Sequence, residues 1–501
     1  MRNVRSLSRI GSWENPGAAI DMLNVSRPAR GRPYSLLRIV LLAACPYLAS
    51  AAIAQSTSMP STSAPITLAD AVHLADANYP AIRAAQQQEL AANRNVGVAR
   101  TVYLPRADIL WQTNRATANN IYGLLLPQGV IPTISGPVVS SDVTRTAWSS
   151  AAGALLSWQP FDFGVRRSQV NIAREGANAA KYASALTQLD ATSAAGAAFF
   201  DVAAAQQLVA VAQANVARIQ VFDRAVRVLA DNALRPGVDV SQADAQLAIA
   251  RTQLIQAQTQ EQIRLATLSE YLELPAGQQL AIDATLLQTA PPDVDLEPNA
   301  IKEHPAALQQ AARVGQEREQ MHLLSRSYVP VFSTMGAVSG RGAGTSLDGN
   351  FPGGTAGLAP DTFNWAAGIQ ANFAAFDFFL NRDQKKVHQA NLGAEAAHYD
   401  QIVDDLSTAV QQARATLSGA RAVAKNTPVE LLAARTSEEQ QQVRYRSGLA
   451  TIVDVAVAEG VLAQAEGDAA IARLSVWRGL LGVAAAQGNL TPFLQLLRNQ
   501  P

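Results

Sequence analysis

The chain has 501 residues, 48% hydrophobic and 16% charged, with 40 basic against 40 acidic side chains. Such a composition can bury a core, is too apolar for a disordered chain, and offers no basic face of the kind nucleic acid requires. Charge is nevertheless unevenly placed: residues 1–54 hold seven Arg and two acids, Glu14 and Asp21, so the remainder is mildly acidic.

That N-terminal segment has the order of a secretory signal. Arg30, Arg32 and Arg38 precede the apolar run IVLLAACPYLAS, and small residues at Ala52 and Ala54 come before Gln55, so residues 1–54 are expected to be an extension and signal peptide. Leu42-Ala43-Ala44-Cys45 also fits the pattern that precedes a lipidated cysteine. Cys45 is the sole cysteine, so a chain starting at Gln55 has no disulfide and no thiolate metal site. Beyond residue 54 no uninterrupted apolar run approaches 18 residues, which leaves β-strands as the means of crossing a membrane.

The rest of the chain is written twice. NYPAIRAA at 78–85 is matched by EHPAALQQA at 303–311, YLP at 103–105 by YVP at 328–330, and Phe161-Asp162-Phe163 by Phe376-Asp377-Phe378. LRPGVDV at 234–240 is matched by YRSGLATIVDV at 445–455. The sequence therefore predicts two tandem repeats, 55–290 and 291–490, and a C-terminal tail at 491–501.

Each repeat opens with a helix, 80–104 in the first, which begins at a proline tolerated in the first turn and stops before Pro105. Alternation then takes over. Trp148, Ser150, Ala152, Ala154, Leu156 and Trp158 share one face of a strand, as do Phe363, Trp365, Ala367, Ile369, Ala371 and Phe373, with aromatics towards both ends. Ten strand residues span roughly 33 Å, enough for a tilted strand to cross hydrocarbon, so Trp148, Trp158, Phe363, Trp365 and Phe373 are candidates for a membrane aromatic girdle. Partner strands are expected near Ala107–Asn114 and Val331–Ser339, giving hairpins at 106–160 and 331–376, with loops at 115–145 and 341–361.

Long helices follow, Val165–Asn232 and Asn381–Arg446, each roughly 100 Å, with return helices of about 55 Å after Gly237 and Gly448. The front helix makes up the missing length by stacking end to end with the return helix. A helical layer this long cannot bury itself as one globule and must be shared between subunits. Four strands are likewise too few for a closed barrel: two copies give the minimum of eight and three give twelve.

The order of NYPAIRAA, YLP, FDFG and YRSGLATIVDV resembles the TolC family of outer-membrane efflux and secretion channels. The resemblance implies an α+β membrane protein: a homotrimer with a 12-stranded outer-membrane β-barrel, four strands per chain, and a periplasmic α-barrel of long helical hairpins. It implies a passive duct gated at its periplasmic end, in the lipid of the outer membrane, with a periplasmic adaptor and an inner-membrane pump or exporter as partners. The family closes its tunnel with a tyrosine three residues before the tip glycine and with acidic residues after it. Tyr445, Gly448 and Asp454 match; Ala450 and Val457 stand where the best-known member has a basic gate residue and a second acid. Gly237, Asp239 and Asp244 are the counterparts expected at the first tip. Asp454 also suits the first turn of a helix, as an N-terminal partner for free amides.

An enzyme is disfavoured: His73, His304, His322, His388 and His398 form no metal-ligand spacing, and neither a phosphate loop nor a nucleophile elbow is present. No cofactor or metal is expected. The alternative is a structural periplasmic coiled-coil, adaptor-like protein without a pore, which has no use for aromatic-ended strands.

Overall fold

The computed structural model describes residues 65–117, 146–234, 236–274, 280–285, 291, 293, 295–296, 300–344, 353–373 and 377–498. The expected signal region and most of the 115–145 loop lie outside the described residues. The chain runs α1 (Leu68–Asn78), α2 (Pro80–Arg100), β1 (Arg106–Thr117), β2 (Thr146–Phe161), α3 (Val165–Asp231), α4 (Gly237–Leu272), α5 (Pro305–Arg326), β3 (Val331–Ala343), β4 (Thr362–Asn372), α6 (Asp377–Arg446), α7 (Ile452–Ala486) and α8 (Thr491–Arg498). Helix, hairpin, long helix and return helix thus occur in the same order twice.

The helix ends follow local chemistry. α1 starts with a capping box in which Thr67 and Asp70 each accept from the other's backbone amide at 3.2 Å. Pro80 and Pro305 each sit in the first turn of α2 and α5. The first helix was expected to reach residue 104, but α2 ends at Arg100 and Thr101–Tyr103 tightens into a 3-10 turn. Leu104, placed before Pro105, is extended, as a residue preceding proline prefers.

α3 has 67 residues and α6 has 70, about 100 Å each, while α4 and α7 have 36 and 35. α6 starts at Asp377, four residues before the expected Asn381, and carries Pro428 in its interior. Each long helix packs along its return helix, and α3 also meets α2 and α5. The main core lies where α1, α3, α4, α7 and α8 converge: Phe199, Phe200, Leu268, Leu272, Trp477, Leu480 and Phe493 are almost wholly buried. Windows of α3 and α7 are apolar enough to cross a membrane by composition, but half of each window is buried in protein, and the same two helices supply Phe199 and Trp477 to the core.

Residues 491–501 were read as a tail, yet Thr491–Arg498 is helical and buries Phe493 and Leu497 in this core. Two turns of helix are too short for a periodic signal to stand out from the Gly-Asn-containing approach before them.

The four strands form one antiparallel sheet in the order β1-β2-β3-β4, so the β2–β3 pairing joins the two repeats. Register shifts between Trp158 and Phe161, where Pro160 has no N–H to give the ladder. Among the described residues, β1 and β4 are the edges. β3 extends to Ala343, past the expected Ser339 and into the segment read as loop.

Candidate functional site

The two faces of the sheet differ in chemistry. Pairing places Trp111 opposite Ala152, Ala152 opposite Gly340 and Gly340 opposite Phe363; Ile109, Ala154, Val338 and Trp365 form a second row on the same face. Trp365 is 80% exposed, Trp111 78% and Ile109 86%. The other face carries Asp108, Gln112, Asn114, Ser149, Ser339, Arg341, Asn364 and Gln370. An apolar row bare to its surroundings over a polar reverse face is the pattern of a barrel strand set between lipid and a wet lumen.

Of the five expected girdle residues, Trp158, Phe363, Trp365 and Phe373 are exposed. The indole of Trp158 donates to the Tyr103 carbonyl at 3.1 Å, as a tryptophan at an interface is suited to do. Trp148 is only partly exposed: the Arg115 guanidinium lies 5.6 Å from its ring centroid. Trp111 and Ile109 share this exposed face and were not singled out from the sequence, although their spacing of two within β1 was the available signal.

Where sheet passes into tunnel helix, Phe163 (φ 52°) and Gly164 (φ 94°) both take left-handed backbone. The Asp162 carboxylate closes this turn, accepting from the amides of Gly164 at 3.2 Å and Arg166 at 2.5 Å and from Arg166 Nε at 3.0 Å. Burial works to raise its pKa, but these hydrogen bonds prevail and hold it below the usual carboxylate value. Arg326 at the end of α5 donates to the Gly164 carbonyl at 2.8 Å and leaves no room for a Cβ there. Asp162 thus serves the start of α3 as a capping aspartate does.

The far ends of the long helices meet in a small apolar cluster of Val226, Ala243, Tyr445, Ile452 and Val455. Tyr445 is 1% exposed, its ring 5.5 Å from Phe222, and its hydroxyl donates to Asp239 at 2.9 Å. This hydrogen bond ties the tip of the α6–α7 hairpin to the tip of the α3–α4 hairpin. Gly448 (φ 75°) ends α6 in a Schellman turn, its amide donating to the Tyr445 carbonyl and that of Leu449 to the Arg444 carbonyl.

Asp454 forms a capping box with Thr451: its carboxylate accepts from the Thr451 amide and hydroxyl, both at 2.8 Å. The Thr451 amide, then the Thr451 hydroxyl, hold its pKa below the ordinary value. Asp244 pairs with Arg227, which also pairs with Asp223 at 3.1 Å. Gly237 does not make the first turn, as its place in the motif had suggested. Among the described residues, the left-handed one there is Ala233 (φ 57°), and Gly237 is the first residue of α4. Helix-end hydrogen bonds from Ala233 to Ala230 and from Leu234 to Leu229 set that turn.

Two turns above Tyr445, the nearly buried Glu438 and Glu459 meet, joined by Gln442, whose amide donates to both. Arg218 of α3 reaches Glu459 at 3.4 Å and Glu466 at 2.9 Å. No local motif announces this group, because its members come from three helices.

The sequence model of the outer membrane efflux protein family matches residues 71–273 and 296–489, most of the chain and both repeats. The chain belongs to the outer membrane efflux protein family. No curated protein matches it in sequence. Among solved structures, the Campylobacter jejuni CmeC outer membrane channel shares its fold at 15% identity and a TM-score of 0.69, over 84% of this chain and 85% of that one. VceC from Vibrio cholerae does so at 16% and 0.67, covering 84% and 96%. The open state of the Neisseria gonorrhoeae MtrE outer membrane channel does so at 17% and 0.64, covering 84% and 89%.

As an outer membrane efflux protein, the chain is an outer-membrane channel protein with its helical part in the periplasm. Family and fold are those of channels and not of enzymes. Membership sets aside the pore-free adaptor-like alternative and gives the bare apolar sheet face its place against lipid.

Proposed function

We propose that three copies of the chain close a twelve-stranded barrel and a shared helical tunnel, and that the duct works with a periplasmic adaptor and an inner-membrane pump or exporter. The edge positions of β1 and β4, on a sheet with one lipid-type face, carry this reading. An open four-stranded sheet leaves two rows of backbone groups unmet, and hydrocarbon admits no such edge. Joining β4 of one copy to β1 of the next satisfies both.

The hydrogen bond from Tyr445 to Asp239 serves as the latch of the inner end, with Gly448 shaping the tip. Asp454 fixes the start of α7 and, repeated about a threefold axis, adds negative charge at the constriction that favours cations. Asp244, anchored by Arg227, supports the first tip, where Gly237 opens α4. Trp158, Phe363, Trp365 and Phe373 set the depth of the sheet in the membrane, with Trp148 at the outer end.

The test is conductance of the purified protein in a planar bilayer, alongside chemical cross-linking. Discrete conductance steps, a trimeric cross-linked species and a larger conductance for Tyr445→Phe are expected. Absence of steps in every variant overturns the trimeric-duct reading; an unchanged Tyr445→Phe conductance overturns the latch alone.

A further inference from the structure

The group above the latch gathers three carboxylates. Glu438, Glu459 and Glu466 lie with the guanidinium groups of Arg218 and Arg435, the second 3.8 Å from Glu466, and Arg473 lines the cavity beside Glu466. Glu438 lies on α6, Glu459 and Glu466 on α7, and Arg218 on α3, so the group lies where the two hairpins are joined. Glu438 and Glu459 are 6% and 5% exposed, and an unshared negative charge in such a place is strongly disfavoured. Arg218 turns towards α7: its Nη1 donates to both carboxylate oxygens of Glu466 and its Nε reaches Glu459, whereas Glu438 has the neutral Gln442 as hydrogen-bond donor.

Water can reach the group from two sides. Glu459 lines a cavity of about 510 Å³ with Asn215, Gln246, Gln253, Gln464 and Asp468, and Arg435 and Glu466 line another of about 410 Å³. A proton therefore has a route in and out without the helices unfolding.

We infer that a proton held on Glu438, against the Glu459 carboxylate, keeps α6 and α7 packed against α3, and that its loss loosens this hairpin above the Tyr445 latch. The charged groups bearing on Glu438 are Glu459 from α7, Arg218 from α3 and Glu439 on its own helix. From α4 come the amides of Gln246 and Gln253, on the cavity wall. Burial first, and then the Glu459 charge, raise the Glu438 pKa to about 7. An acid whose pKa is raised in the packed form binds more protons there than in the loosened form. Packing is therefore strongest below the ordinary glutamate value, weakens as pH rises from there to about 7, and stays weak above it. The inner end of the duct would accordingly be tighter in an acidified periplasm and looser at neutral pH. Only this last step rests on the channel reading.

Hydrogen exchange of the full-length protein in detergent micelles, at about pH 5.5 and about pH 8 and corrected for intrinsic exchange, tests the packing directly. In the wild type, protection across 430–446 and 455–466 should fall at the higher pH by more than about tenfold relative to α2, because the tested range covers more than one unit below the raised value of about 7. Glu438→Gln, which keeps the shape and cannot lose a proton, should be equally protected at both, and Glu459→Gln should reduce the difference. A wild type with no pH-dependent loss, or a Glu438→Gln variant that loses protection as the wild type does, overturns the inference. Exchange is read without any conductance, so failure of the trimeric-duct reading registers separately, in the bilayer.

Discussion

The two helical tips close with the same hydrogen bonds but divide their acidic residues differently. Asp239 and Asp454 both occupy the third position of a return helix, α4 and α7. Asp454 turns back on Thr451 and serves its own helix. At the first tip the preceding cap is Pro236, which has no hydroxyl to accept and no amide hydrogen to give. A capping box is impossible there, and Asp239 instead accepts from Tyr445 of the other hairpin. Duplication supplied one acid at each tip, and a single proline turned one of them from a local cap into a bond between hairpins.

The comparison can be broken most strongly at the tyrosine. Tyr445→Ala empties the space between Phe222 and the Val226 cluster, and local opening of the tip should become easier by about 3–5 kcal/mol, read by native-state hydrogen exchange. Next comes the glycine: Gly448→Ala forces a Cβ into left-handed backbone and should weaken the second tip by about 1–2 kcal/mol in the same measurement. The first tip predicts the opposite sign, because Ala233 already bears that strain. Ala233→Gly should strengthen it by about 0.5–1 kcal/mol, since glycine relieves the backbone but loses more chain entropy.

Pro236→Thr sharpens the point about the acids by offering Asp239 a box of its own. The cost of Tyr445→Phe should then be smaller in the Pro236→Thr background than in the wild type, a double-mutant cycle in which equal costs would remove the proline from the explanation. The smallest effect is one of pH. The Asp454 pKa is depressed, so its cap is intact above the ordinary aspartate value and fails as pH falls through the depressed one. Fraying at the start of α7, followed by exchange of its first-turn amides, should appear only in strongly acid solution, and the Asp239 side should not share it through any box.

Much of this architecture is legible from the sequence because it is periodic or repeated. Trp148 to Trp158 and Phe363 to Phe373 alternate with a period of two, and the long helices are bounded by Gly164 and Gly448, so strands and rods announce themselves. What stayed hidden was non-local or exceptional. Ala233 adopts a glycine's conformation because helix-end hydrogen bonds impose it, and no residue preference reveals that. Arg218, Glu438, Glu459 and Glu466 lie up to 248 positions apart and become one group only when three helices pack. His304 has no place in a metal-ligand spacing, but its Nδ1 accepts from the Ala306 amide at 3.1 Å and caps α5, a part usually played by Ser, Thr, Asp or Asn.

Pro428 gives α6 a mechanical consequence. A proline inside a helix removes one rung of the hydrogen-bond ladder and crowds the turn before it, which makes Pro428 the place where α6 would bend at least cost. From Pro428 to Tyr445 is about 25 Å of helix, and a pivot of about 10° at the proline would swing the tyrosine sideways by about 4 Å. That lever arm exceeds the reach of one hydrogen bond, so a small angle high on the rod is enough to part Tyr445 from Asp239.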